Sequence, residues 1–208
     1  MKSSLKTVIT ELEDLFEVFN EKYFDSELSR PVITVSPNHK TSAFGWCTGW
    51  KAWKEKDGGE GYYEINICAE YLSRPFNEVA ATMLHEMVHL YNIENGIQDT
   101  SRGGTYHNKE FKTTAELHGL TVEKDEKYGW CKTDLNPEAL EETNNYMEFI
   151  GKDSFDIYRE SEPTEEPKEK KKGGNSIKYV CPMCGAIIRA TKKVRVICAE
   201  CDVEFTEE

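Results

Sequence analysis

The chain has 208 residues, of which 38% are hydrophobic and 31% are charged, and its formal net charge at pH 7 is −12. This length allows one medium domain and a small appendage, and the acidic balance argues against a protein that coats nucleic acid through its overall field. The sequence contains neither the apolar run of a secretory signal, roughly 7–15 residues, nor about 18 consecutive apolar residues that could cross a membrane. We therefore expect a soluble, cytoplasmic protein without membrane contact.

The first predicted elements are one amphipathic helix and three strands. In residues 5–24, apolar side chains recur every three or four positions, which predicts a helix with one face on the core. Residues 31–37 form a short β-branched run, residues 42–53 an aromatic run, and residues 57–72 a glycine-rich turn followed by alternating apolar residues. These runs predict a small, largely antiparallel sheet beside the helix.

The next predicted helix contains the sequence HEMVH. Residues 73–96 carry a proline near their start and end in an Asn-Gly pair, with good helix formers between them. Four positions separate His85 from His89, so a helix places both imidazoles on one face, one turn apart, where they can bind one ion. Glu86 lies about 100° around the helix from His85, where it can reach a water on that ion without being a ligand.

This spacing suits zinc chemistry. Two imidazoles and a third protein ligand leave one position of a tetrahedral zinc ion open to water, whose pKa falls to about 7. Glu86 can accept a proton from that water and later pass it to a leaving amine. The alternative is two ordinary histidines on a helix surface. Because the neighbouring residues are apolar, we predict instead that His85 and His89 bind zinc and that Glu86 is the general base for peptide hydrolysis.

A further helix is predicted downstream, over residues 108–119. Its inner face is expected to carry Phe111, Ala115 and Leu117. His107 lies at or just before the start of this helix, from where it could face back toward the HEMVH helix.

The residues that could supply the third zinc ligand are His107, Glu110, Glu116 and His118. We favour His107. Glu110 is the main alternative, because one large class of zinc peptidases takes its third ligand from a glutamate on a later helix. His118 precedes a glycine at the predicted helix end, where a structural role near the negative end of the helix dipole is more typical. His39, between predicted strands, is expected on the surface.

These segments together resemble a known family. The order of AFGWC, YEINICAEYL, EVAATMLHEMVHLYNIENG, YHNKEF and a four-cysteine tail is similar to the SprT-like metalloprotease family, which includes the DNA-protein crosslink protease Spartan. The resemblance covers most of residues 5–120 and again residues 177–206. It implies an α+β fold with a minimal zincin-like core and a zinc-binding subdomain after it. It also implies a three-histidine zinc site, which would be His85, His89 and His107, with Glu86 as the catalytic acid–base.

The third-ligand segment departs from the family pattern. Family members usually flank the histidine with glycines, as G-H-G followed by a phenylalanine. This chain retains His107 and Phe111 but has Tyr106 and Asn108 in place of the two glycines. The resemblance therefore does not define the shape of this loop.

The part of the chain after the protease-like segment is predicted to contain a helix and a linker. Residues 128–151 have no family counterpart that we can assign, although Asn136-Pro137 starts and a glycine ends a predicted helix there. Residues 160–176 are rich in acidic residues, proline, lysine and glycine and lack an apolar anchor, which predicts a flexible linker rather than a surface loop. The predicted domains are a metalloprotease domain at 1–159 and a zinc ribbon at 177–208.

The tail contains two C-x-x-C motifs separated by 13 residues. Such motifs, with a β-rich segment between them, are typical of a zinc ribbon rather than a redox pair. The predicted thiolate ligands are Cys181, Cys184, Cys198 and Cys201. Four thiolates leave no open position, so this second zinc ion would stabilise the fold of the tail and take no part in catalysis. We therefore expect two zinc ions, one catalytic and one structural.

The tail is also the basic part of the chain. Residues 1–167 carry 17 Lys and Arg against 32 Asp and Glu, whereas residues 168–208 carry 9 against 6. The residues that could contact single-stranded or damaged DNA are Lys170, Lys171, Lys172, Arg189, Lys192, Lys193 and Arg195, with Tyr179 and Phe205 as stacking faces. The equally weighted alternative is that these cations keep an exposed hairpin soluble and the aromatic rings fill its core.

Two functions follow from these patterns. The first is a zinc metalloprotease that hydrolyses protein substrates, including proteins attached to DNA. The second is a nucleic-acid-binding or regulatory adaptor in which the HEMVH site is structural. Glu86 favours the enzyme, because a structural metal site has no use for a general base beside an open position.

Overall fold

The computed structural model describes residues 4–38, 43–152, 155–160 and 177–207. The chain divides into two compact units, residues 1–161 and 162–208. The predicted linker falls almost entirely outside the described residues, so the predicted domain boundaries stay predictions. His39, predicted on the surface, also lies outside them. Among the described residues, no helix has the length and apolar character needed to cross a membrane.

The described residues form four α-helices and twelve strands, which we number in chain order. The helices are α1 Leu5–Tyr23, α2 Phe76–Glu94, α3 Lys109–Leu117 and α4 Pro137–Ile150, and a 3₁₀ turn spans Ala69–Ser73. The strands of the first unit are β1 Val32–Ser36, β2 Gly45–Cys47, β3 Glu64–Cys68, β4 Thr100–Ser101, β5 Tyr106–His107, β6 Leu120–Asp125 and β7 Gly129–Leu135. The strands of the second unit are β8 Ile177–Val180, β9 Ile187–Ala190, β10 Ile197–Cys198, β11 Val203–Glu204 and β12 Thr206–Glu207.

The first sheet has the strand order β1-β3-β2. Its β-branched residues Ile65 and Ile67 point from β3 into the core and are fully buried. β2 and β3 pair antiparallel, as predicted, whereas β1 and β3 pair in parallel. β3 lies between its two partners, although β2 comes before it in the chain. The fold is therefore α+β with mixed sheets.

Helix α2 lies at the centre of the first unit. Twelve of its 19 residues are buried, so the helix is enclosed on most sides. The apolar face of α1 packs in the same core through Leu12, Leu15, Phe16 and Phe19, as the spacing of these residues predicts. Enclosure of α2 fixes the positions of the side chains that it carries.

The second sheet has the strand order β4-β5-β7-β6 and contacts α2 through β6 and β7. Its hairpin, β6–β7, was not predicted from the sequence. Helix α3, between β5 and β6, buries Phe111 and Ala115, but Leu117 is 75% exposed, contrary to expectation. Leu117 lies six positions after Phe111, about 240° around the helix, which takes it off the buried face.

Helix α4 has the predicted ends. The side chain of Asn136 accepts a hydrogen bond from the backbone N–H of Ala139, and Gly151 ends the helix in the left-handed conformation with φ 68°. The amine of Lys152 contacts Glu11 of α1 at 2.5 Å, which ties the end of α4 to the first helix.

The second unit is a small β structure. Strands β12, β8 and β9 form an antiparallel sheet in that order, and β10 pairs antiparallel with β11. This unit is too small for a large apolar core, and its buried residues include Tyr179, Cys181 and Cys198.

Candidate metal centre and catalytic site

Three histidines converge on one point at the surface of α2. His85 and His89 come from successive turns of this helix, and His107 comes from β5. The Nε2 atom of His107 lies 3.2 Å from Nε2 of His85 and 3.1 Å from Nε2 of His89. All three donor atoms lie within 4.8 Å of one another. The structure thus brings together the three histidines that the resemblance implied.

Two of the three rings are oriented by hydrogen bonds from their other nitrogen. Nδ1–H of His89 donates to Oδ2 of Asp99 at 2.6 Å, and Nδ1 of His85 is hydrogen-bonded to Oγ1 of Thr133 at 2.9 Å, with the proton on Nδ1 in the tautomer that binds a metal through Nε2. In this tautomer the lone pair of each Nε2 faces the shared centre. Neither Asp99 nor Thr133 was identified from the sequence. Asp99 lies between the second and third ligands in the sequence, where an acidic residue is a candidate hydrogen-bond partner for a ligand. No sequence feature marks Thr133 as such a partner.

The carboxylate of Asp99 belongs to a buried polar chain. Asn92 donates from Nδ2 to Oδ2 of Asp99 at 3.1 Å, and the hydroxyl of Thr114 donates to Oδ1 of Asn92 at 2.9 Å. The backbone carbonyl of Asp99 also accepts from the N–H of Asn108, the residue after His107. Since these groups are buried and paired, they fix Asp99 against α2 and α3.

His107 is held by the neighbouring strand and by α3. Its backbone N–H donates to the carbonyl of Tyr128 at 2.9 Å. The ring of Phe111, fully buried, lies with its centroid 4.6–4.8 Å from the centroids of all three imidazoles. Nδ1 of His107 is buried without a hydrogen-bond partner among the described residues.

Glu86 lies beside this cluster and under β2. Its side chain is 5% exposed, and its carboxylate accepts a hydrogen bond from the backbone N–H of Cys47. A Cβ placed on Gly45 would lie 2.7 Å from the carbonyl oxygen of Asn66 and 3.3 Å from Oε1 of Glu86, so only glycine fits here without a shift of β2. Burial raises the pKa of Glu86 to about 7, against the opposing effects of His89 and the Cys47 N–H. A carboxyl with this pKa can both take up and release a proton near neutral pH.

The three histidines differ in how readily they take up a proton. Burial, followed by the neighbouring imidazoles, holds the pKa of His85 well below its usual value, and burial with the influence of His89 lowers the pKa of His107 to about 4. For His89, burial acts to lower the pKa, but the hydrogen bond to Asp99 and the charges of Glu86 and Asp99 outweigh it and raise the pKa. A cluster with two neutral imidazoles is suited to metal binding, which requires deprotonated ligands.

The donor set fits a zinc ion. A tetrahedral zinc ion with Zn–N bonds of about 2.0–2.1 Å requires its nitrogen ligands to lie roughly 3.3 Å apart, close to the 3.1 and 3.2 Å between these Nε2 atoms. Converging imidazole lone pairs repel one another unless a cation lies between them. Three such ligands leave a fourth position open, which is the arrangement of catalytic rather than structural zinc sites.

The alternative ligands lie elsewhere. Glu110 is exposed in the first turn of α3, where its own backbone N–H donates to the N-terminal cap Asn108. His118 ends α3, donates from Nδ1 to the carbonyl of Thr114 at 2.7 Å and stacks on Phe24 at 4.6 Å. Neither side chain belongs to the three-histidine cluster, and the structural role predicted for His118 agrees with these contacts.

The second unit brings together four thiols. The Sγ atoms of Cys181, Cys184, Cys198 and Cys201 lie within 4.8 Å of one another. The Sγ atoms of Cys184 and Cys198 are 3.7 Å apart, and a tetrahedral zinc ion with Zn–S bonds of about 2.3 Å requires roughly 3.8 Å. The four-thiol cluster is therefore consistent with a zinc ribbon.

The structure of the second unit gives limited support to the prediction that its aromatic and basic residues contact DNA. Tyr179 is 5% exposed and its hydroxyl accepts the backbone N–H of Val194, so its ring fills the core of the unit and stacking on Tyr179 is excluded. Lys193 pairs with Glu207 at 3.2 Å, and Arg195 pairs with Glu204 at 3.1 Å. Residues 170–172 lie outside the described residues.

Two comparisons with known proteins bear on the identity of the chain. The search of curated proteins finds no match. The SprT-like family matches residues 12–127, which is more than half of the chain and includes α2, β5 and all three converging histidines. The chain therefore belongs to the SprT-like family.

Proposed function

We propose that the chain is a zinc-dependent metalloprotease that hydrolyses peptide bonds in protein substrates. The observation that carries the proposal is the convergence of three histidine Nε2 atoms beside the buried carboxyl of Glu86. Membership of the SprT-like family supports a metalloprotease-type function.

His85, His89 and His107 would hold the zinc ion. A zinc ion bound by three imidazoles acts as a Lewis acid: it polarises a carbonyl oxygen and lowers the pKa of a water molecule to about 7. Asp99 accepts a hydrogen bond from Nδ1–H of His89, and Thr133 would accept one from Nδ1–H of His85, which leaves both Nε2 lone pairs free to coordinate.

Glu86 moves the proton. Its carboxylate would accept a proton from the attacking water and then deliver it to the amine of the broken peptide bond. The Cys47 N–H orients the carboxylate, and the close approach of β2 at Gly45 shields it from bulk water. One residue thus serves as base and acid in successive steps.

The substitution Glu86→Gln tests the enzymatic role. The amide has nearly the shape of the carboxylate but cannot take up the proton, so we expect the variant to retain zinc at the histidine site and to lose cleavage of a denatured protein. Glu78→Gln, an exposed change on the same helix, is the matched control and should cleave like the parent. If Glu86→Gln cleaves as fast as the parent, the proposed catalysis is wrong and the adaptor function is favoured.

The expected contact with DNA stays a prediction. It concerns the ribbon, where the predicted basic side chains Lys193 and Arg195 are paired with glutamates. Cleavage assays with and without single-stranded DNA test it: acceleration by DNA that is lost in Lys192→Ala supports a nucleic-acid partner, and equal rates contradict it.

A further inference from the structure

Strand β7 lies beyond the segment that matches the family, which ends at residue 127. It nevertheless contacts two of the three converging histidines. Its inward side chains alternate with outward ones, and Leu135 at its end is buried in the core. Thr133, two positions earlier, faces the same side and reaches His85.

Thr133 provides the only hydrogen bond that the described residues give to Nδ1 of His85. The Oγ1 atom lies 2.9 Å from Nδ1, and the ring is part-buried, so water is a poor substitute for the hydroxyl. Without this acceptor the proton could move to Nε2, and Nε2 would then have no lone pair for a metal ion. When it accepts from Nδ1–H, the Thr133 hydroxyl supports the metal-binding tautomer of His85, whereas the Asp99 carboxylate can only accept from His89.

The start of β7 lies beside His107 and fixes the position of its backbone. β5 and β7 pair in parallel at His107 and Gly129, and the N–H of His107 donates to the carbonyl of Tyr128. Gly129 has φ +76°, and a Cβ there would lie 2.1 Å from the carbonyl oxygen of His107. β7 could not approach His107 as closely with any other residue at this position.

We propose that β7 is part of the metal centre and that Thr133 is a positioning residue that holds His85 in the metal-binding tautomer. The metal-binding unit then extends through residue 135, beyond the matched family segment. This inference rests on the proposed zinc centre of the first unit.

The test compares three single substitutions in the full-length protein. Thr133→Val keeps the branched shape and removes the hydroxyl, whereas Thr133→Ser keeps the hydroxyl. Thr121→Val is the matched control, because Thr121 lies in the adjacent strand and its hydroxyl donates to an exposed backbone carbonyl of Asp134. If the valine variant does not fold, Thr133→Ala removes the same hydroxyl without adding an apolar group.

The measured quantity is zinc affinity in competition with a chromophoric chelator. The chain offers two metal sites, so His85→Ala identifies the phase that belongs to the histidine site. We expect Thr133→Val to weaken zinc binding in that phase about 10–100-fold, the usual effect of removing a group that orients a metal ligand. Thr133→Ser and Thr121→Val should match the parent, and melting of the metal-free proteins checks that the fold is retained.

The possible outcomes separate this inference from the proposed function. If Thr133→Val binds zinc like the parent, or if Thr133→Ser loses as much affinity as the valine variant, the hydroxyl does not position His85. If the parent has no phase that His85→Ala removes, the histidine metal centre itself is absent, and both the proposed function and this inference fail.

Discussion

Gly45 lies where the edge strand β2 passes over Glu86, and the change Gly45→Ala probes this contact. The added Cβ would lie 2.7 Å from the carbonyl oxygen of Asn66, 3.2 Å from Cγ2 of Thr82 and 3.3 Å from Oε1 of Glu86. Gly49 is the matched control, because a Cβ there would have no neighbour within 4 Å. The two substitutions have the same chemistry, and only one of them crowds the catalytic carboxylate.

The contact distances give the expected magnitude. Moving the new Cβ from 2.7 Å to 3.4 Å, where ordinary van der Waals contact begins, requires β2 to shift by about 0.7 Å. Overpacking of this kind costs about 1–3 kcal/mol, or roughly 2–12 °C in Tm for a domain of about 150–250 residues. Because β2 also carries the Cys47 N–H that orients Glu86, this shift should disturb the catalytic carboxylate. A misplacement near 1 Å can cost about 100-fold in rate, so we expect cleavage to fall by about ten-fold or more.

Three measurements on the same samples test this reasoning. Thermal melting gives the change in stability, metal analysis gives the zinc content, and cleavage of a denatured protein gives the rate. Gly45→Ala should lose stability and rate but retain zinc, because β2 contributes no histidine to the cluster. Gly49→Ala should match the parent in all three. Equal behaviour of the two variants would refute the packing of β2 against Glu86.

Two further predictions concern the metal sites. Asp99→Ala should weaken zinc binding at the histidine site about 10–100-fold, because Nδ1–H of His89 loses its carboxylate acceptor; chelator competition measures this, and an unchanged affinity would contradict the role of Asp99. Cys198→Ser should lower the zinc content from about two ions per chain to about one, because it removes one of the four clustered thiols. Metal analysis of the purified protein checks this, and a content still near two would argue against the four-thiolate site.

Local sequence patterns were sufficient for several elements of the fold. α1 follows from the spacing of its apolar residues, α2 ends before the Asn-Gly pair, and α4 lies between the Asn136-Pro137 start and the Gly151 stop. These features depend on residues close together in the chain, so helix periodicity and capping preferences determine them.

The β6–β7 hairpin could not be recognised in this way. The inward residues of β7 include Cys131 and Thr133, which interrupt the apolar alternation, and charged residues occupy the outward positions. The parallel pairing of β1 with β3 was missed for a related reason: strand direction in a sheet is set by the path of the whole chain and not by the strand sequence.

Site residues that lie close together in the sequence were predicted, and those brought together only by the tertiary fold were harder to predict or were missed. HEMVH defines His85, Glu86 and His89 within five consecutive residues of one helix. His107 comes from a two-residue strand, so its approach to the helix depends on β7 and on tertiary structure. Thr133 reaches His85 across 48 positions of the chain, and no sequence pattern of His85 indicates this partner.

The most direct test of the three-histidine centre is a crystal structure of the zinc-loaded protein with anomalous data collected at the zinc absorption edge. We predict a peak bonded to Nε2 of His85, His89 and His107 at about 2.0–2.1 Å, with solvent in the fourth position next to Glu86. A peak that lacks one of these bonds, or whose fourth position is filled by another protein side chain, would contradict the assignment of this cluster as an open catalytic zinc site.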